Sequence, residues 1–93
     1  MNAELMIKQR IVLSENTFAE IVIWFVSPSV HGSTHGFKYR LALVSNNKCV
    51  LRYDNETNKG DHKHIEDNEQ SYFFTTIEDL LKDFWSDVDN WRA

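Results

Sequence analysis

Ninety-three residues, 42% hydrophobic and 13% aromatic, suffice for one small packed domain spanning 1–93 and leave no room for a second. With one proline and three glycines the chain is neither a low-complexity linker nor a disordered segment. The net charge of −4 argues against a general nucleic-acid coat protein, but it hides a division: eight Lys/Arg stand against six Asp/Glu in residues 1–64, and two against eight in 65–93.

Period-two alternation governs the first half. Leu5, Ile7, Ile11 and Leu13 fall on one face of an extended segment, with Glu4, Lys8 and Arg10 on the other. Ser14-Glu15-Asn16 reads as a turn. Thr17 to Val26 is β-branched and aromatic on both faces, the pattern of a central strand. Ser27 to Gly36 carries Pro28, Gly32 and Gly36 and reads as a long loop suited to function. Phe37 to Ser45 and Cys49 to Asp54 are the third and fourth strands. A three-residue loop, Asn46 to Lys48, sets Leu43 against Leu51, Leu41 against Tyr53 and Arg40 against Asp54; a one-residue slip would mix the faces. On this alternation Cys49 shares the buried face with Leu51 and Tyr53. Tyr72 to Thr75 reads as a short fifth strand.

The last element is a helix. Ile77, Leu80, Leu81, Phe84, Trp85, Val88 and Trp91 form one helical stripe. Thr76 is placed to cap it, Glu78 and Asp79 suit the positive end of its dipole, and the Asp/Glu-rich outer face is solvated. The expected fold is therefore α+β: an antiparallel sheet of about five strands with the C-terminal helix packed on one face.

The run Lys59-Gly60-Asp61-His62-Lys63-His64 offers five ionisable side chains and nothing to bury. Read as a surface loop, it supports three interpretations. It is a solvated connector; or Asp61, His62 and His64, with His31 or His35, ligate a metal; or His62 and His64 exchange protons without a metal while Lys59, Arg40 or Arg52 holds a phosphate. No HExxH or CxxC motif supports the metal set, so no cofactor is expected. Lys38, Arg40 and Arg52 share the polar side of the third and fourth strands. They serve either as cross-strand partners of Asp54 and Glu56, each pair worth ~0.2–1 kcal/mol, or as an anion platform. Trp24, Tyr39 and Tyr53 read as core.

The single Cys49 excludes an internal disulfide and suits a reducing compartment. Met1 to Leu5 lacks the basic start of a signal peptide, and the longest apolar run, Ile21 to Val26, is far short of the ~20 residues that span a membrane. A cytoplasmic protein without membrane association is expected.

Three motifs in order, Gly32-Ser33-Thr34-His35-Gly36-Phe37-Lys38-Tyr39-Arg40, Tyr53-Asp54-Asn55-Glu56 and Lys59-Gly60-Asp61-His62-Lys63-His64, resemble the TumE family of small prokaryotic toxins. The family pattern has arginine where this chain has Lys63, which keeps the charge. The resemblance implies a toxin of a toxin–antitoxin module, held inactive by a cognate antitoxin that often carries a helix-turn-helix DNA-binding domain. The chemistry rests on the residues. The expected activity is that of a metal-independent ribonuclease, with His62, His64, Arg40, Lys59 and Asp61 catalytic, and with Lys38, Arg52, His35, Asp54 and Lys63 binding RNA. The alternatives are transfer of a nucleotidyl or phosphate group, for which no GxxxxGK[ST] loop is present, and a non-catalytic protein-binding module.

Overall fold

A computed structural model describes residues 2–92; Met1 and Ala93, the ends of the expected 1–93 domain, lie outside the described residues. Six strands follow one another as β1 (Asn2–Ser14), β2 (Thr17–Ser27), β3 (Phe37–Ser45), β4 (Lys48–Glu56), β5 (Gly60–Ile65) and β6 (Asn68–Ser71), and α1 (Ile77–Arg92) ends the chain. Every strand pairs antiparallel with the next, giving the order β1-β2-β3-β4-β5-β6. Short connections make this the simplest topology an antiparallel sheet can take.

One face of the sheet is covered by α1. Ala19, Ile21 and Ile23 of β2, Tyr39, Leu41 and Leu43 of β3, and Leu51 and Tyr53 of β4 are buried there with Leu80, Phe84 and Val88. The three helix residues are four apart, so they stack on one stripe. Ile77, Leu81, Trp85 and Trp91 flank them, half-buried. Thr76 caps the helix as expected: its Oγ1 accepts from Asp79 N at 3.0 Å, and its carbonyl accepts from Leu80 N at 2.9 Å. The outer face is less idle than its composition implies. Asp83 accepts from Tyr72 OH, and Asp87 accepts from Tyr53 OH and from Lys63 Nζ at 3.2 Å.

The expected register of β3 and β4 holds, through a different device. Arg40 opposes Asp54, Leu41 opposes Tyr53 and Leu43 opposes Leu51. The connection is a two-residue turn, Asn46-Asn47, with φ of 52° and 64°. Positive φ at both positions is the turn whose twist matches a hairpin, and asparagine tolerates it. The odd residue is absorbed by a bulge: Val44 pairs with Cys49, which leaves Val50 unpaired. Val50 takes the buried position, and Cys49 is exposed, contrary to the alternation expected for it. A similar irregularity after Leu5 sets Leu5 opposite Trp24 and Ile7 opposite Ile23, so Leu5 leaves the stripe of Ile7 and Ile11 and is 44% exposed.

The largest difference lies after β4. Of the Lys59–His64 segment only Lys59 is turn, and Gly60–His64 is most of β5; Tyr72 to Thr75 is not a strand but the lead-in to the helix. β5 is polar on both faces, so hydropathy does not betray it. It forms because Asn58, φ 70°, and Gly60, φ 73°, reverse the chain after Glu56 and return it along β4. Phe73 and Phe74 imitate strand alternation, yet Phe73 is 85% exposed while Phe74 packs against the core.

Candidate functional site

Because β5 is extended, its side chains divide between the two faces of the sheet. His62 lies opposite Asp54, and His64 opposite Arg52, on the face that the helix leaves open. Asp61 and Lys63 point to the helix side. Residues that looked like one polar cluster therefore form two.

On the helix side Asp61 accepts three hydrogen bonds, from Ser33 Oγ at 2.8 Å, Tyr39 OH at 2.7 Å and His35 Nε2 at 2.6 Å. Phe37 N donates to His35 Nδ1 at 3.1 Å, so the proton of a neutral His35 sits on Nε2, where it serves Asp61. The His35 ring stacks on Phe74 with centroids 3.9 Å apart. Burial, then the bond to Asp61, pushes the Tyr39 hydroxyl far above the ordinary tyrosine range. Every polar atom here has a use within the fold: the network ties residues 33–39 to β5. Lys63 is likewise engaged, with Asp87 and Tyr53 OH. His35, Asp61 and Lys63, read as site residues from sequence, thus sit apart from the histidine pair. The 27–36 loop and the turn that precedes β5 meet at one end of the fold. Asn58 N donates to His31 O at 2.6 Å, and a Cβ on Gly60 would come within 2.9 Å of Gly32 O. Two backbones this close, both at positive φ, require glycine.

The open face is different. His62 is 4% exposed and Asp54 7%. His62 Nδ1 lies 3.1 Å from Gly60 O, a contact in which the ring N–H donates. In the neutral ring the lone pair is then on Nε2, which rests 2.8 Å from Asp54 Oδ1. The two atoms touch without the alignment of a hydrogen bond, and both are buried with no hydrogen-bond partner among the described residues. Arg52 spans the neighbouring pair: Nε lies 3.1 Å from Asp54 Oδ2, and Nη2 donates to His64 Nε2 at 2.9 Å. The two imidazole centroids are 5.0 Å apart. Glu69 Oε1 stands 3.9 Å from both Nε2 atoms.

Around this cluster the face is basic and aromatic. A shallow depression of about 320 Å³ is lined by Val22, Trp24, Lys38, Tyr39, Arg40, Arg52, Asp54, Asn55 and Glu56. Arg40 opposes Asp54 in register, but Asp54 is already held by Arg52 and His62. Neither an Arg40–Asp54 nor a Lys38–Glu56 ion pair forms; Glu56 instead approaches Lys59 at 3.8 Å. Lys59 and His62 share a second, more open depression with Glu69, Gln70 and Ser71. Of the residues read from sequence, His62, His64, Arg40, Arg52, Asp54, Lys38 and Lys59 therefore belong to one face. Of the metal set, Asp54 replaces Asp61 beside the two histidines. Glu69 is absent from the candidates that the sequence offered, and Trp24 read as core. Glu69 was recoverable from the polar turn Glu66-Asp67, which returns it opposite His64; Trp24 lies in an apolar run that looks buried on both faces.

A family model described as Toxin TumE matches residues 2–92. The chain belongs to the TumE toxin family. The match runs the length of the sheet and the helix, so both clusters lie within the TumE domain. Membership makes the chain a toxin component of a toxin–antitoxin system, and an antitoxin its partner. No curated protein matches, and no solved structure matches. Among the described residues no helix is long and apolar enough to cross a membrane.

Proposed function

We propose that this TumE toxin cleaves RNA on its open sheet face and that its antitoxin neutralises it by covering that face. One observation carries the reading: two imidazoles 5.0 Å apart share a face with cations that the fold does not use. Lys38 and Arg40 are exposed and have no ion-pair partner among the described residues, and Trp24 beside them offers a ring on which a base can stack.

The chemistry needs a base, an acid and positive charge. His64 is partly exposed, and its Nε2 is held by Arg52. When the Arg52 guanidinium turns to the phosphate, that nitrogen is free to take the proton of a ribose 2′-hydroxyl. The 2′-oxygen then bonds to phosphorus, and the bond to the 5′-oxygen breaks. Once the Asp54 carboxylate turns aside and opens Nε2, a protonated His62 supplies the proton that the leaving oxygen needs. Arg40 and Arg52 stabilise the charge that develops on the phosphoryl oxygens. Lys38 and Lys59 hold the flanking backbone. No metal takes part in these steps. Induced expression followed by sequencing of RNA 5′ ends is the test. New ends that appear with the native chain, and vanish with His64→Ala, support the reading. Growth arrest with unchanged RNA ends would sink it.

A further inference from the structure

We propose that Asp54, His62 and His64 form a binding site for a divalent transition-metal ion of the zinc class, and that the bound ion switches the toxin off. The switching rests on the ribonuclease reading above; the site itself does not.

The ligand atoms of these three residues lie within 4.8 Å of one another. Zinc–ligand bonds of about 2.1 Å separate the atoms of a tetrahedral shell by roughly 3.4 Å, so small side-chain rotations close the set. The orientation of His62 is that of a ligand. Its Nδ1 donates to Gly60 O, which leaves the Nε2 lone pair for a cation, as in most protein metal sites. The sharper observation is chemical. His62 Nε2 and Asp54 Oδ1 are both buried, 2.8 Å apart and without a hydrogen-bond partner. In the neutral ring these are two lone pairs facing one another, which is unfavourable unless a proton or a metal ion joins them. Glu69 Oε1, 3.9 Å from both imidazole Nε2 atoms, lies outside the three-residue set but can reach a fourth ligand position by turning its side chain. Two imidazoles and carboxylates select a zinc-class ion over magnesium or calcium. The donors project from three hydrogen-bonded strands, which holds them more firmly than a loop would.

Arg52 now supplies the positive charge that an ion would bring. Its side chain is 29% exposed, and among the described residues only Asp54 and His64 hold it. It can turn to solvent as the ion arrives. A metal on the Nε2 atoms of His62 and His64 takes the lone pairs that proton transfer requires. The occupied toxin is therefore inert towards RNA.

The test uses the purified full chain titrated with zinc chloride, and separately with magnesium chloride, by calorimetry and by NMR of the histidine rings. One zinc ion should bind, with shifts in His62 and His64, and magnesium should not. Asp54→Asn and His64→Ala should weaken zinc binding at least ~100-fold while circular dichroism stays native. Arg52→Gln should keep or tighten it, because the competing cation is gone. Absence of zinc binding by the native chain, or binding unchanged in both ligand variants, overturns the site. In an RNA-cleavage assay zinc should suppress activity and EDTA restore it; stimulation by zinc would overturn the inhibitory role. If RNA is not cleaved under any condition, the ribonuclease reading fails while the calorimetry still decides the site.

Discussion

What a histidine can do depends on what its two nitrogens already hold. His35 spends both, one on Phe37 N and one on Asp61, whereas His62 spends only Nδ1. The expected contrast follows. His62→Gln and His64→Ala should abolish RNA cleavage in a protein that still folds, and Arg40→Ala should lower cleavage on the order of 10²-fold. Asp61→Ala should do the reverse. It strands three donors and should cost about 1–3 kcal/mol in urea unfolding, while the folded fraction keeps its activity. Native unfolding energy in Asp61→Ala, with activity lost, would return that residue to the active site. Three tyrosines make a second prediction. Burial first, then bonds to Asp61, Asp87 and Asp83 respectively, raise the hydroxyls of Tyr39, Tyr53 and Tyr72. A group whose folded-state pKa is raised stabilises the fold below its unfolded value of ~10 and loses that contribution as pH rises beyond it. Tyrosinate absorbance should therefore appear together with loss of the native dichroism above pH ~10. Three tyrosines titrating in a still-folded protein would contradict the bonding described.

At the scale of elements, the helix holds the sheet and the sheet carries the site on its far side. Phe84→Ala should cost ~3–5 kcal/mol, enough to unfold a domain of this size. Asp89→Ala, exposed on the outer face, should change stability by less than ~0.5 kcal/mol. Asp87→Ala falls between them, at roughly 1–3 kcal/mol, because Tyr53 OH and Lys63 Nζ lose their acceptor. Thermal or urea unfolding of the three variants checks the order. Equal losses in Phe84→Ala and Asp89→Ala would mean that the helix is turned the wrong way. The helix and its stripe were legible because an apolar repeat of three and four residues has few other uses. β5 was not legible, because a strand with polar residues on both faces carries no hydrophobic signal. Its identity comes from pairing with β4, which no local pattern records.

For the molecule as a whole the charge division matters more than the net charge of −4. Eight of the fourteen acidic residues follow residue 64, five of them on the helix, whereas Lys38, Arg40 and Arg52 lie on the open face. An antitoxin that neutralises by covering the site should present acidic side chains there. Complex formation should then weaken as salt rises from low concentration towards ~0.5 M, and Arg40→Glu should slow association. Salt-independent binding that Arg40→Glu leaves intact would place the antitoxin elsewhere, for instance along β1, where Leu5, Met6 and Val12 are exposed.

Local sequence carried the α+β class, the first four strands, the facing pairs of β3 and β4 and the capped helix, because each rests on a short-range periodicity or on cap chemistry. It also carried the toxin family, through three motifs in order. Tertiary structure alone decided which polar residues act together. Asp61 and His62 are neighbours in the chain, yet the pleat sends them to opposite faces. Asp54 and His62 are eight positions apart, yet the β4–β5 register brings them within 2.8 Å. A bulge at Val50 exposed Cys49, against the local alternation. Composition says which groups a chain owns; only strand pairing says which face each one reaches, and chemistry requires groups on the same face.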